Sequence, residues 1–181
     1  MNLIDVKSPA DLKGLSISEL TDLTAQARQA LMTKVSEHGG HFGPPMGAAE
    51  IIMALHYVFN SPVDKIVYDV SHQSYVHKMV TGRALAFLDH DHYDDVTGYT
   101  DPTESDHDFF NIGHTSTSIS LASGLATARN LKGDSENIIA IIGDGSLSDG
   151  EAFEGLDYAA TLNSNMIIIV NDNDQSIAEN H

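Results

Sequence analysis

The 181-residue chain contains no cysteine and no tryptophan, and only nine of its residues are lysine or arginine. Without cysteine it has no disulfide bonds and no thiolate to bind a metal or act as a nucleophile, which fits a cytoplasmic location. No apolar run approaches the ~18 residues that a membrane-spanning helix needs. The first residues also lack the basic and apolar segments of a secretion signal. We therefore expect a cytoplasmic protein that does not enter the membrane.

The shortage of cations also limits the ligands that the protein can bind. Its 26 acidic residues give a formal net charge of −17. Binding to nucleic acid depends on clustered lysine and arginine, so nucleic acid is excluded as a partner. A phosphate ligand would have to be held by a metal ion, by helix N-termini and backbone N–H groups, or by some of the ten histidines.

The spacing of apolar residues predicts helices that alternate with strands in a single domain, residues 1–181. Ser16 and Glu19 form a capping box that opens the first helix, which continues to about Glu37. Further helices are expected over about 46–59, 77–79 and 151–162 and from about 116 onward. The core-facing side chains are predicted to include Ile51, Ile52, Leu55, Val58, Phe153, Leu156, Ala159 and Ala160. The segments KIVYDV, NIIAIIG and MIIIV read as strands, the last two of them buried on both faces.

Two segments break this alternation. HGGHFGPPMG, with four glycines and two prolines, is predicted to be a rigid loop. Residues 88–110 contain seven aspartates and three histidines, and are expected to be a solvated, irregular excursion. The spacing of His90, His92 and His107 matches no regular metal-binding pattern, so these residues are interpreted as loop residues. His56, His77 and Lys78 are expected to have structural roles.

Alternating helices and strands predict an α/β fold: a doubly wound, mostly parallel sheet with helices on both faces. In such sheets, ligands bind beyond the carboxyl ends of the strands. Three polar segments occupy those ends here: Ser71–His72, Gly143-Asp144-Gly145 and Asn171-Asp172-Asn173. We expect them to form the floor of one site.

The second and third of these segments predict a metal. Asp144 offers a carboxylate between two glycines, and Asn173 follows 29 residues later, after one strand–helix–strand crossover. A carboxylate and an amide oxygen that converge at one sheet edge suit Mg²⁺, whose remaining positions a phosphate ligand and water can fill.

Several motifs carry a resemblance to a known family. GDG followed about thirty residues later by NDN is similar to the thiamine diphosphate motif of transketolases and decarboxylases. Four further segments, HFGPPMGAAE, YDVSHQSYVHKMVTGR, NIGHTSTSIS and NDNDQSIAEN, together resemble 1-deoxy-D-xylulose 5-phosphate synthase. The resemblance extends from about residue 12 to the end of the chain.

The resemblance implies a role for each matching residue. Asp144 and Asn173 would bind Mg²⁺ through their side chains and Gln175 through its backbone carbonyl. His72 would approach the cofactor diphosphate, and His41 would face the thiazolium and handle protons. The remaining expected site residues are Gly143, Gly145 and Ser146 along the diphosphate, and Gly113 and His114 beside the cofactor and the substrate channel, with His114 also in proton transfer.

The activity implied by the resemblance is the condensation of pyruvate with glyceraldehyde 3-phosphate, with loss of CO₂. It also implies a pyrimidine-binding domain that this chain lacks, a homodimer in the complete protein, and an inactive isolated chain. Ser118–Ala128 would contribute to an exposed surface of small residues that meets the missing domain. The segment HFGPPMGAAE is more similar to the corresponding segment of transketolases. One alternative is therefore a transketolase-type ketol transfer, which a split subunit could carry out. The second alternative is a non-catalytic domain that binds a diphosphate or a partner protein.

Overall fold

The computed structural model describes residues 1–172 with their side chains, and the backbone of residues 175–176 and 178–179. The helices are α1 (Ile17–His38), α2 (Gly43–Gly47), α3 (Ala49–Val58), α4 (Tyr75–Lys78), α5 (Leu85–Leu88), α6 (Ser118–Lys132), α7 (Asp144–Leu147) and α8 (Gly150–Thr161). The strands are β1 (Lys65–Tyr68), β2 (Ile138–Gly143), β3 (Met166–Asn171), β4 (Gln175–Ser176) and β5 (Ala178–Glu179). Short helical turns cover Leu3–Asp5, Pro9–Leu12, Met79–Arg83 and His90–Asp95. Within the described residues, no helix combines the length and the apolar character needed to cross a membrane.

The central sheet is parallel, with the strand order β1-β2-β3, and helices cover both of its faces. Side chains alternate across a strand, so Ile139 and Ile141 of β2 pack into a core with α1 and α3. Ile138, Ala140 and Ile142 face the opposite way, into a second core with α6 and α8. The predicted doubly wound α/β fold is confirmed.

Helices α6 and α8 lie on the same face because each belongs to a crossover between neighbouring parallel strands. Such crossovers are right-handed, and both move across the sheet in the same direction. The two helices approach closely at Gly155, where a Cβ atom would lie 3.0 Å from Ser120 Oγ. The small residues of 118–128 serve this packing: Ser118, Ala122, Ser123 and Ala126 are buried. The small residues of this face therefore serve packing inside the domain, and in 118–128 only Gly124 and Ala128 are exposed and free to contribute to the expected surface.

Burial was predicted wrongly for a few individual side chains. Val58 and Phe153, expected in the core, are 63% and 58% exposed, and Ala160 is also exposed. β3 is only partly buried, because it pairs with β2 alone among the described strands. The predicted loop HGGHFGPPMG contains α2, since proline is compatible with the first turn of a helix.

The excursion at 88–110 is irregular, but it is not simply solvated. Tyr93, Thr100 and Asp108 are buried. His90 is exposed as expected, whereas His107 is half-buried and its Nδ1 lies 2.8 Å from Ser61 Oγ. This acidic segment packs against α4 and against the residues that follow β1.

Candidate active site

The predicted strand ends meet at one edge of the sheet. β1 ends at Tyr68, directly before Asp69 and three residues further His72, and β2 ends at Gly143, directly before Asp144. The parallel register pairs Gly143 with Asn171 of β3, so Asp144 and Asp172 follow neighbouring strands at the same level. Side chains at such an edge face the region where α/β proteins bind ligands.

Asp69, which sequence reasoning missed, ties these strand ends together. Its buried carboxylate accepts hydrogen bonds from the backbone N–H groups of Ser116 and Ser118, at 2.9 and 3.0 Å. Ser116 in turn donates from its hydroxyl to the Ser146 carbonyl at 2.7 Å. The start of α6, the end of β1 and α7 are thereby held in one arrangement. An aspartate directly after an apolar run is the available signal, but the predicted strand KIVYDV includes this residue.

The rings of His41 and His72 lie side by side. Their ring centroids are 5.5 Å apart, and the ring of Tyr99 lies 5.1 Å from that of His41. Tyr75 fixes the position of His41, because its hydroxyl accepts from His41 N–H at 3.2 Å and lies 3.3 Å from His41 Nδ1. Tyr75 and Tyr99 were not predicted, and neither stands in a pattern that marks a site.

The backbone that presents His72 is strained. Val70 and Ser71 have φ angles of 55° and 66°, in the left-handed region that a β-branched residue such as valine rarely adopts. Ser71 is held there by its hydroxyl, which donates to the Ile112 carbonyl at 2.8 Å and accepts from Thr100 N–H at 3.0 Å. Strain of this kind persists where the surrounding contacts over-determine it, and it is concentrated at functional sites.

Both imidazoles are suited to remain neutral at neutral pH. Partial burial is the main cause that lowers the pKa of His41, and the backbone of Gly98 acts in the opposite direction. Burial also lowers the pKa of His72, followed by the neighbouring His41, against an opposing effect of Asp69. His72 Nδ1 is buried without a hydrogen-bond partner among the described residues. A polar atom left in that state is one that a bound ligand or water can satisfy.

Gly113 and His114 lie in the exposed segment that leads to Ser116. His114 Nδ1 is 2.8 Å from the Thr115 carbonyl, so this nitrogen carries the hydrogen and Nε2 is the acceptor. Within the described part of the chain, His114 shares no hydrogen bond or ring contact with His41 or His72. A Cβ atom at Gly113 would meet nothing within 4 Å, so local packing does not require glycine here.

Comparison with known proteins identifies the family. Residues 3–181 match the family described as 1-deoxy-D-xylulose-5-phosphate synthase. Proteins with that name are 47% identical over 178 residues in Pelotomaculum thermopropionicum and 50% identical over 178 residues in Caldanaerobacter subterraneus subsp. tengcongensis. A 1-deoxy-D-xylulose-5-phosphate synthase 2 of Geobacter sulfurreducens is 50% identical over 175 residues. The chain belongs to the 1-deoxy-D-xylulose-5-phosphate synthase family.

These matches cover 97–98% of the chain but only 28–29% of each relative. The chain thus spans less than a third of the length of these synthases. Membership in the 1-deoxy-D-xylulose-5-phosphate synthase family implies thiamine diphosphate as the cofactor, as the GDG and NDN motifs predicted.

The predicted metal ligands are described only in part. Asp144 opens α7, whereas Asn173 and the side chain of Gln175 lie outside the described residues. The backbone of β4, which includes Gln175, lies next to α7. Among the described histidine, aspartate and glutamate side chains, no group of three could hold a metal ion. The Asp144 carboxylate and the Gln175 backbone carbonyl are hard oxygen donors of the kind that Mg²⁺ prefers. They would form a complete site only together with Asn173 and the phosphate oxygens of a ligand.

A second polar cluster lies beneath the site, in the interior. His77 Nε2 is 2.7 Å from Asp108 Oδ1, and its Nδ1 is 2.8 Å from His56 Nε2. Arg83 binds both oxygens of Asp108, at 2.8 and 2.9 Å. Lys78 pairs with Glu104 at 2.6 Å. The structural roles expected for His56, His77 and Lys78 agree with this cluster, but its extent was not foreseen, because both of its acidic members, Glu104 and Asp108, come from the segment interpreted as solvated.

Proposed function

We propose that this chain is the part of a thiamine diphosphate-dependent synthase that holds the cofactor diphosphate. The reaction of the complete protein is the condensation of pyruvate with glyceraldehyde 3-phosphate to 1-deoxy-D-xylulose 5-phosphate, with release of CO₂. The observations that support the proposal are that His72 and the Gly143–Ser146 segment follow neighbouring parallel strands and that His41 lies beside His72, within a chain of this family.

The strand ends supply the means to hold a diphosphate in a protein with few cations. Backbone N–H groups of Gly145 and Ser146 line it, and His72 donates from its ring to an oxygen. Asp144, Asn173 and the carbonyl of Gln175 hold Mg²⁺, which neutralises part of the charge. Ser116 and Asp69 keep this floor rigid through their bonds to Ser146 and to the start of α6.

Proton handling falls to His41 and His114. When bound, thiamine diphosphate supplies the nucleophilic carbon and the electron sink that decarboxylation needs. His41 is neutral at neutral pH, because burial lowers its pKa, and it is held in place by Tyr75, so it can accept a proton and return it. His114 presents Nε2 as an acceptor from the exposed side, and Gly113 leaves room beside it.

The remaining features of the complete protein belong to the same proposal. The aminopyrimidine of the cofactor is held by a part of the longer synthases that this chain does not span. The complete protein is a cytoplasmic homodimer, and glyceraldehyde 3-phosphate is the acceptor. A transketolase-type ketol transfer is favoured only by the sequence of the segment HFGPPMGAAE. It would use a ketose donor and release no CO₂.

Decarboxylation in the full-length protein tests this function. Release of ¹⁴CO₂ from labelled pyruvate, dependent on thiamine diphosphate and Mg²⁺, is expected, whereas cleavage of a ketose donor without CO₂ would favour the transketolase alternative. Asp144→Ala should abolish Mg²⁺-dependent cofactor binding, as measured by calorimetry. The 181 residues alone should bind the cofactor weakly and show no turnover. Unchanged cofactor affinity of the Asp144 variant would count decisively against the assigned metal site.

A further inference from the structure

A cavity of about 280 Å³ opens beside His41. Its lining includes the glycine segment between α1 and α2 and the start of the acidic excursion. The polar side chains that line it are Lys34, His38, His41, Tyr75, Tyr93, Asp94 and Thr97. Lys34 is the only lysine or arginine in this lining, and the arrangement around it is unusual.

Lys34 is a buried ammonium without a negative partner. The residue is 6% exposed, and none of the ion pairs in the described part of the chain involves it. Its Nζ donates to the carbonyls of Ala86 and Tyr93, at 2.9 and 2.8 Å. An ammonium has three N–H donors, so one of them has no hydrogen-bond acceptor among the described residues.

Neutral groups compensate for only part of the cost of burying this charge. The ring of Phe87 lies 4.4 Å from Nζ and that of Tyr93 lies 5.4 Å away, both within cation–π range. Asp94, which lines the same cavity, is paired with His38 at 2.9 Å instead. A buried cation with an unused donor at the wall of a cavity is complemented best by an anion in that cavity.

We propose that this cavity is a binding site for a small oxyanion, a carboxylate or a phosphate group, which Lys34 holds next to His41. The inference deepens the proposed function, because an acid or a sugar phosphate anchored there has its reacting carbon close to the proton-handling histidine. The anion site itself needs neither cofactor nor metal. A failure of the proposed synthase activity would therefore leave the binding test below unaffected.

The charge state of Lys34 makes the site sensitive to pH. Burial lowers the pKa of Lys34 to about 8, helped by the positive charge of Lys78, so part of the population loses its charge just above neutral pH. Asp94, Asp95 and Glu104 act in the opposite direction. The other titratable groups that line the cavity are His38, His41, Tyr75 and Tyr93. The cationic form binds the anion, so affinity should be nearly full at pH 7 or below, about half at the pKa, and fall about tenfold per pH unit well above it.

Lysine-selective NMR on the 181-residue chain measures this directly. The signals next to Nζ report the pKa of Lys34 with and without pyruvate or inorganic phosphate, added to about 50 mM, where binding with Kd near 1 mM is almost complete. Either probe should raise the pKa of Lys34 by about one unit or more. Potassium chloride at the same ionic strength should not.

Lys13 provides a matched internal control. Its Nζ likewise donates to two carbonyls, those of Tyr57 and Phe59 at 2.9 and 2.6 Å, but it does not line the cavity. Its pKa should not respond to either probe. The effect of pyruvate alone identifies a carboxylate site and that of phosphate alone a phosphate site, while a response to both identifies a general oxyanion site.

Substitution separates the cavity from a general effect of charge. Binding of the probe should shift the ring signals of His41 in the wild type and in Lys13→Met, and Lys34→Met should abolish that shift. Circular dichroism establishes whether Lys34→Met folds. If it does not, the measurement on wild-type Lys34 still decides, because it needs no variant. A pKa of Lys34 that neither pyruvate nor phosphate changes overturns the proposal.

Discussion

Two pairs of neighbouring histidines differ in almost everything except their residue type. The open pair, His41 and His72, is half-exposed with its rings in a T-shaped contact, and strained backbone at Val70 and Ser71 presents His72. The buried pair, His56 and His77, is fully enclosed, stacked and hydrogen-bonded. The comparison shows that the same residue type occupies a partly exposed position in one pair and an enclosed position in the other.

The buried pair is held in a single arrangement of hydrogen bonds. Asp108 is ionised, since its bonds with His77 and Arg83 hold its pKa far below the usual range against the opposing effect of burial. His77 therefore donates from Nε2 to Asp108, and its bare Nδ1 accepts from His56. Among the described residues, His72 Nδ1 and His56 Nδ1 both lack a hydrogen-bond partner, but His56 is fully buried whereas His72 is half-exposed. The two pairs therefore differ in their access to solvent and ligands, and not in whether every ring nitrogen is hydrogen-bonded.

The largest effect should come from removing the anion of the buried cluster. Asp108→Ala leaves Arg83 and His77 buried without their partner, so we expect a loss of about 3–5 kcal/mol in the free energy of unfolding. The matched control is Asp94→Ala, which breaks the exposed pair with His38 and should cost about 0–1 kcal/mol. Urea unfolding of both variants makes the comparison. Equal losses would mean that Asp108 does not anchor the cluster.

Acid should weaken the buried pair before it affects the rest of the fold. Burial is the main cause that lowers the pKa of His77 from 6.5 to about 4, with Asp108 opposing it, so between these values the unfolded state binds more protons than the folded state. The contribution of neutral His77 to the free energy of unfolding is complete above pH 6.5. It is lost as the pH falls toward 4, by roughly 3 kcal/mol in all. His56, whose pKa burial also lowers, contributes in the same direction.

Unfolding measured at pH 7.5, 5.5 and 4.5 gives this profile. His77→Gln removes one titrating group, so it should flatten the profile even though it lowers stability at pH 7.5. A variant whose stability falls as steeply as that of the wild type would show that His77 is not the group responsible.

How far the sequence predicted these two regions depends on the range of the interactions involved. The strands and the parallel sheet followed from local apolar runs. Asp69 and Asp108 escaped notice, because the partners described above lie 25 to 49 residues away along the chain. From composition alone, seven aspartates in one segment predict that the segment is exposed to solvent. Only the fold places Arg83 and His77 against one of them.

We expect the two histidines of the open pair to have different roles, His41 in proton transfer and His72 in cofactor binding. In the full-length protein, His41→Ala should lower kcat by about a hundredfold, the lower end of what a positioned proton-transfer group contributes, with little change in cofactor affinity. His72→Ala should do the reverse, since its role is contact with the diphosphate. Steady-state kinetics and cofactor titration of both variants test this. Identical behaviour would refute the division of labour without removing either residue from the site.

The smallest effect should come from Gly98, which touches the open pair without taking part in its chemistry. Its φ is not in the left-handed region, so alanine brings no backbone strain, but the added Cβ would lie 3.4 Å from both His41 Cε1 and the Tyr75 hydroxyl. The His41 ring must then move by a few tenths of an ångström. Because misplacement by about 1 Å can cost a hundredfold in rate, we expect Gly98→Ala to lower kcat only a few-fold.

Stability should barely change in that variant, by about 0.5 kcal/mol or less, since the contact involves one movable ring. Gly14→Ala is the control, because a Cβ there meets nothing within 4 Å. In NMR spectra, Gly98→Ala should shift the ring signals of His41 and leave those of His56 and His77 unchanged. If kcat falls although the His41 signals stay in place, then Gly98 acts through something other than the position of this ring. The open pair would then be less sensitive to its neighbours than its half-exposed, T-shaped packing implies.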